Sequence, residues 1–237
     1  SQARHCAEIG IDYSVRKIPP GATEAQFVAH ILSLDHDPGV TGVLLQLPVP
    51  RGIDPRRLQE RIWPEKDVEG VNPANLGRLY SGEQLTTPCT AGAALEILRG
   101  NGVPLRGAEV VIVGHSNIVG KPLSILLTNE MATVTVCHEA TRDLAAHTRR
   151  AEILVVAVGK AGLVRADMVR PGAVVIDIGI SRVPRPDGST RVAGDVAEDV
   201  REVASLLTPV PGGVGPVTVA MLLANTVACA RRQLAAR

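Results

Sequence analysis

Four short aliphatic runs, at 108–113 (AEVVIV), 133–137 (TVTVC), 153–158 (ILVVAV) and 173–178 (AVVIDI), recur between segments of helical spacing. Strands without polar alternation are buried on both faces, and such strands joined by helices form parallel sheets with right-handed crossovers. The pattern predicts an α/β fold with a doubly wound, Rossmann-like domain. Helices are expected at 117–129 and 142–150. Upstream, 11–18 and 40–45 read as strands around a helix at 23–34, with Thr23 as N-cap and Glu24 in the first turn. That is a further βαβ unit, separated from the main series by a loop-rich stretch at 64–88. Downstream, a Pro/Gly-rich loop at 209–215 leads into a long aliphatic helix at 216–235. The expected division is a first domain over 1–87, a nucleotide-type domain over 88–213, and a C-terminal segment, 214–237, packing back on the first domain.

Composition narrows the partners. The chain is 45% hydrophobic but only 2% aromatic, the aromatics being Phe27, Trp63, Tyr13 and Tyr80. Bases therefore find few stacking platforms, and 25 basic against 24 acidic residues provide no polyanion bias. No nucleic-acid partner is expected. The four cysteines form no C-x-x-C pair and the six histidines no H-x-x-x-H pair, so buried reduced thiols are expected and no metal. The apolar stretch 217–230 carries Thr218, Asn225 and Thr226 and reads as too short for a membrane span. No signal peptide is visible, and a cytoplasmic setting is the expectation. The chain opens inside an amphipathic helix closed by Gly10, so an N-terminal truncation is expected.

The first strand of the main series runs into Gly114-His115-Ser116-Asn117-Ile118-Val119-Gly120-Lys121-Pro122. A strand, a small-residue turn and a helix in this order let backbone and helix N-terminus approach a pyrophosphate. The motif departs from G-x-G-x-x-G, with Ser116 at the second Gly and the third Gly one residue late; a plain tight turn fits the same residues. After the next strand comes Cys137-His138-Glu139, where dinucleotide folds place an acid for the adenosine ribose. Glu139 repels a 2′-phosphate, whereas His115 and Arg142 could attract one. On its own Glu139 leans toward NAD, and a solvated surface Glu reads equally well.

Three further stretches are unusual. In 43–50 (VLLQLPVP) a lone Gln46 ends a buried run, where α/β proteins present polar groups to ligands or cap their own loops. In 64–70 (PEKDVEG) acids and a Lys stand beside a Gly turn, an arrangement common in solvated loops. In 211–216 (PGGVGP) a Gly-rich loop could lie beneath a flat ligand or serve as a hinge.

Together with PEKDVEGVNPANLGRL (64–79), TPCTAGAALEIL (87–98), ATVTVCH (132–138), ADMVRPGAVVIDIGI (166–180) and PVPGGVGPVTVAML (209–222), these stretches resemble the methylenetetrahydrofolate dehydrogenase/methenyltetrahydrofolate cyclohydrolase family over almost the whole chain. The resemblance implies oxidation of 5,10-methylenetetrahydrofolate with NADP or NAD and hydrolysis of the product to 10-formyltetrahydrofolate. It also implies a folate domain at the N-terminus, completed by the last helix, and a homodimer. Carried over, Gln46 matches the active-site Gln, and Glu69 replaces an Asp that binds the pterin. Gly114, His115, Ser116 and Ile180 match dinucleotide positions; Gly212, Gly213 and Pro216 belong to the floor under the ligands.

The chain departs from the family at one catalytic position. The family's Lys lies eight residues before the Gly of G-I, and counting back from Gly10 reaches Gln2. Either Gln2 replaces the Lys, or a short segment carrying it is missing between Gln2 and Ala3. Gln2 would leave hydride transfer intact and remove the proton carrier of the hydrolysis, giving a dehydrogenase alone or a non-catalytic folate binder. Tyr13 and Tyr80 do not match the family's Tyr. His115 for Arg and Glu139 for a small hydroxyl residue weaken the usual NADP preference.

Overall fold

The computed structural model describes residues 2–185 and 188–235. In chain order the elements are α1 (Gln2–Glu8), α2 (Glu24–Asp35), α3 (Pro55–Gln59), α4 (Pro73–Ser81), α5 (Cys89–Gly100), β1 (Glu109–Val113), α6 (Gly120–Asn129), β2 (Thr133–Cys137), α7 (Leu144–Thr148), β3 (Ile153–Val156), β4 (Val174–Asp177), β5 (Ser181–Pro184), β6 (Thr190–Ala193), β7 (Leu206–Leu207) and α8 (Val214–Ala235). They form two compact units, Pro88–Met221 and the residues before and after it.

The later unit is built on a five-stranded sheet in the order β2-β1-β3-β4-β7. Every pairing in it is parallel, with Val110 opposite both Val134 and Ile153. Val110, Val111, Ile112, Leu154 and Val155 are fully buried, as unbroken aliphatic strands require. All four aliphatic runs are strands here. From β1 the chain goes to β2 on one side and β3 on the other. The carboxyl ends of β1 and β3 therefore diverge at a topological switch point, where ligands of open α/β sheets bind. The β5–β6 hairpin and the two-residue β7 were not foreseen, because such short, polar runs lack a buried-strand signature.

The earlier unit departs from expectation. Residues 11–18 form no strand, and Val15 is 66% exposed. The run 40–45 makes only one parallel bridge, Val43 to Asp67. With no second extended segment to pair with, the alternation at 11–18 has no ladder to join. At 40–45, Pro48 and Pro50 cannot donate to an extension of the bridge. The expected βαβ unit is thus a helical layer. Helix α2 starts as expected on Thr23, with a capping box to Gln26. Phe27, Ile31, Val43, Leu58 and Ile62 form the core of this unit, and complete burial of a leucine such as Leu58 contributes about 2 kcal/mol.

Helix α8 begins in one unit and ends in the other. It is 22 residues long and contains an 18-residue stretch of mean hydropathy 1.4, enough by length and composition to cross a membrane, which the interrupted run 217–230 did not suggest. Its second half is anchored by polar side chains. Asn225 Nδ2 donates to Val68 O and Thr87 O, both at 2.8 Å. Gln233 Nε2 donates to Thr41 O at 2.7 Å and Glu65 O at 3.1 Å. Cys229 is fully buried in the same half, and all four cysteines are buried and outside any disulfide, as expected.

Candidate functional site

The phosphate-type turn is closed by backbone on two sides. Gly114 has φ +124°, and a Cβ there would stand 2.2 Å from Ala157 O; one on Gly120 would stand 2.0 Å from Gly114 O. Only glycine fits either place. Val119 N donates to Ser116 Oγ at 3.2 Å and Lys121 N to Ser116 O at 3.1 Å. The turn thereby ends directly in α6, and a ligand anion would meet backbone N–H groups at the helix start. The glycine cradle is the one a pyrophosphate needs, so these residues fit a dinucleotide.

At the end of β2 three ring and acid groups gather around that turn. His115 Nδ1 lies 3.8 Å from Glu139 Oε2, and its ring stands 5.2 Å from that of His138. Ala140 N donates to His138 Nδ1 at 3.2 Å. His138 was not anticipated, although it adjoins Glu139 in the sequence. Ile180, just beyond β4, is 69% exposed. Gly212, with φ +104°, and Gly213 precede α8, and Pro216 lies in its first turn. A Cβ on Gly213 would meet Pro209 O at 2.6 Å, so the loop folds tightly on itself.

The earlier unit holds the other candidates. Val43 N donates to Lys66 O at 2.8 Å, and a Cβ on Gly42 would meet the Val68 side chain at 2.2 Å. The bridge makes the two segments run parallel, so Gln46 and Glu69 leave it in the same direction. Gln46 is exposed, with Nε2 donating to Leu47 O at 3.3 Å. The 64–70 stretch is not a solvated loop: Lys66 and Asp67 are buried. Lys66 Nζ donates to Leu34 O and Asp37 O. Asp67 accepts from Gly70 N, Asn72 N and Asn75 Nδ2. The adjacent Glu69 accepts no hydrogen bond and pairs with no cation among the described residues. Burial, and then the nearby Asp67 charge, push its acid up to about 7.

Gln2 is the first residue of helix α1. Tyr13 Oη donates to Gln2 Oε1 at 3.4 Å, a pairing that the spacing of the family's Tyr did not suggest. Among the described residues no group of three or more His, Cys, Asp or Glu could hold a metal ion.

A parallel sheet with a glycine cradle at its switch point, and a second unit presenting a half-buried acid and an exposed amide, define a two-unit α/β protein of the nucleotide-dependent oxidoreductase kind. Residues 88–234 match the family model for the tetrahydrofolate dehydrogenase/cyclohydrolase NAD(P)-binding domain, and residues 1–69 the catalytic domain of the same name. The chain belongs to this family. It is 53% identical over 227 residues to the bifunctional protein FolD 2 of Mesorhizobium japonicum, covering 95% of this chain and 74% of the relative. The bifunctional FolD methylenetetrahydrofolate dehydrogenase/cyclohydrolase of Campylobacter jejuni superposes with a TM-score of 0.92 at 42% identity, over 98% of this chain and 82% of that one. The Trypanosoma brucei enzyme, solved with NADP and an inhibitor, also has a TM-score of 0.92 at 39% identity, over 98% and 81%.

Proposed function

We propose that this protein oxidises 5,10-methylenetetrahydrofolate to 5,10-methenyltetrahydrofolate with a nicotinamide dinucleotide, and hydrolyses the product to 10-formyltetrahydrofolate. The observation that carries the reading is the turn in which Gly114 and Gly120 each exclude any Cβ. It supports a dinucleotide at the carboxyl edge of the sheet. When bound, the nicotinamide supplies the hydride acceptor. The chain's own part in that step is to hold donor and acceptor in line, because folate nitrogen lone pairs stabilise the resulting cation. Gln46 orients the one-carbon end through its exposed amide. Glu69, ionised, accepts from the pterin's ring N–H and amino group. Gly212, Gly213 and Pro216 supply the floor, and Gly114, His115, Ser116 and Ile180 contact the dinucleotide.

Cofactor choice follows from the end of β2. Glu139 accepts from the ribose hydroxyls of NAD and repels a 2′-phosphate, and His115 is held beside it. The proposed preference leans toward NAD. Initial rates with each dinucleotide at equal concentration test this. A large NADP preference refutes it. A cytoplasmic homodimer is the expected setting, and light scattering in solution tests the dimer.

A second reading, in which Gln2 stands at the position of the family's Lys, limits the chain to the dehydrogenase step. Water addition to the methenyl cation needs a group that takes up and returns a proton, and an amide does neither. Separate assays decide: dinucleotide reduction for the first step, loss of methenyltetrahydrofolate absorbance for the second. Turnover in both upholds the bifunctional reading, and turnover in the first alone upholds the second reading.

A further inference from the structure

The wall behind the phosphate turn is itself held by two buried carboxylates. Asp195 is fully buried, and its Oδ2 accepts from Val158 N at 2.6 Å and Gly159 N at 2.8 Å. Asp177, the last residue of β4, accepts from the backbone N–H groups of Gly179, Asp195 and Val196 at 2.9–3.0 Å. A Cβ on Gly179 would stand 2.0 Å from Asp195 Cγ, so the carboxylate lies flat against the backbone that leads to Ile180. The turn after β3 in turn supports Gly114 through Ala157 O. The carboxylate pair therefore pins the turns that follow β3 and β4, the first of which packs closely on Gly114.

Keeping two acids this close in an apolar interior is costly. Asp195 Oδ1 has no hydrogen-bond partner, and burial pushes the Asp177 acid up although three N–H groups stabilise its charge. What the arrangement secures is geometry at the sheet edge. There the strands' burial ends abruptly. Val156 is fully buried, whereas Val158 is 39% exposed and Ile180 69% exposed. Val156 pairs with Asp177 in parallel, so Val158 and Ile180 both lie just past the carboxyl ends of β3 and β4.

We infer that Val158 is a dinucleotide-contacting residue, forming with Ile180 an apolar wall under the half of the cofactor beyond the pyrophosphate, and that Asp195 is the positioning residue that sets this wall. The inference rests on the proposed dehydrogenase reading. The groups that read the adenosine ribose stand at the end of β2 and the glycine cradle follows β1. The nicotinamide riboside must then extend over β3 and β4. The N–H groups of Val158 and Gly159 are occupied by Asp195, so this turn meets a ligand through the Val158 side chain.

The test is dinucleotide affinity by calorimetry, with full kinetics, for Val158→Ala, Val158→Asp and Asp195→Asn. Val192→Ala, at an exposed valine on β6, is the control. Val158→Ala should raise the dinucleotide Kd and KM roughly tenfold, with kcat and folate KM unchanged. Val158→Asp should abolish dinucleotide binding, and the control should change nothing. Asp195→Asn should raise the dinucleotide KM at unchanged kcat. A lowered Tm with unchanged dinucleotide KM would instead make Asp195 merely structural and overturn its half of the inference. If Asp195→Asn does not fold, the surface variants still decide: dinucleotide Kd unchanged in both Val158 variants overturns the wall and leaves the dehydrogenase reading standing. Absence of dinucleotide binding by the unaltered chain overturns both.

Discussion

Replacing Glu69 by Gln should stabilise this protein at alkaline pH while impairing it as a folate binder. The side chain keeps its shape and loses its charge, so the change isolates the ionisation. In the folded chain the acid sits beside the ionised Asp67 with no cation or N–H donor of its own, and its titration is displaced from 4.5 to about 7. At about 1.4 kcal/mol per pH unit, that displacement corresponds to about 3 kcal/mol. Solvent reaches part of the side chain, so about 2 kcal/mol is the expected effect on stability.

The pH window follows from the raised acid. Below the ordinary value both folded and unfolded chains hold the proton, and Glu69 and Gln cost the same. Between that value and about 7 the unfolded chain releases its proton while the folded chain retains it, so stability falls as pH rises. Above about 7 the whole penalty is present. Urea unfolding, followed through the fluorescence of Trp63, the only tryptophan and a member of the same unit, should superimpose the two proteins at pH 4. At pH 8 it should separate them by about 2 kcal/mol in favour of Glu69→Gln. The same variant should raise folate KM roughly tenfold or more at pH 8, since a neutral amide cannot accept two pterin hydrogen bonds as a carboxylate does. A separation of equal size at both pH values, or a less stable variant at pH 8, would refute the argument that burial beside Asp67 governs this acid.

Other substitutions probe neighbouring links. Gly120→Ala places a methyl against Gly114 O and should raise dinucleotide KM by roughly 100-fold or more, with folate binding, read by calorimetry, retained. Asn225→Ala strands the buried carbonyls of Val68 and Thr87 and should lower unfolding free energy by about 3 kcal/mol in urea titrations. Gln2→Lys should raise methenyltetrahydrofolate hydrolysis by roughly 100-fold while leaving dinucleotide reduction unchanged; an unaltered hydrolysis rate would remove the reading of Gln2 as the missing proton carrier.

What the residues disclosed in advance follows from where their information lies. The parallel sheet was legible because a strand buried on both faces must be largely aliphatic, as β1, β3 and β4 are; the edge strand β2, with Thr133 and Thr135, is only partly buried. The phosphate turn was legible because only glycine fits against a carbonyl about 2 Å from a prospective Cβ. The strand expected at 11–18 failed because alternation states a preference for a half-buried surface and cannot supply the partner that creates one. The buried PEKDVEG segment was missed for the opposite reason. Its charges are satisfied by backbone groups at Leu34, Asp37, Gly70 and Asn72, and a hydrogen bond to backbone leaves no mark in the identity of the residue that receives it. The same holds for Asp195, which answers the N–H groups of Val158 and Gly159. In both units, then, the side chains expected to touch ligands stand on segments fixed by buried acids whose partners are mostly main-chain atoms. Motifs reveal the groups at the surface of such a site, and only the fold reveals the carboxylates that aim them.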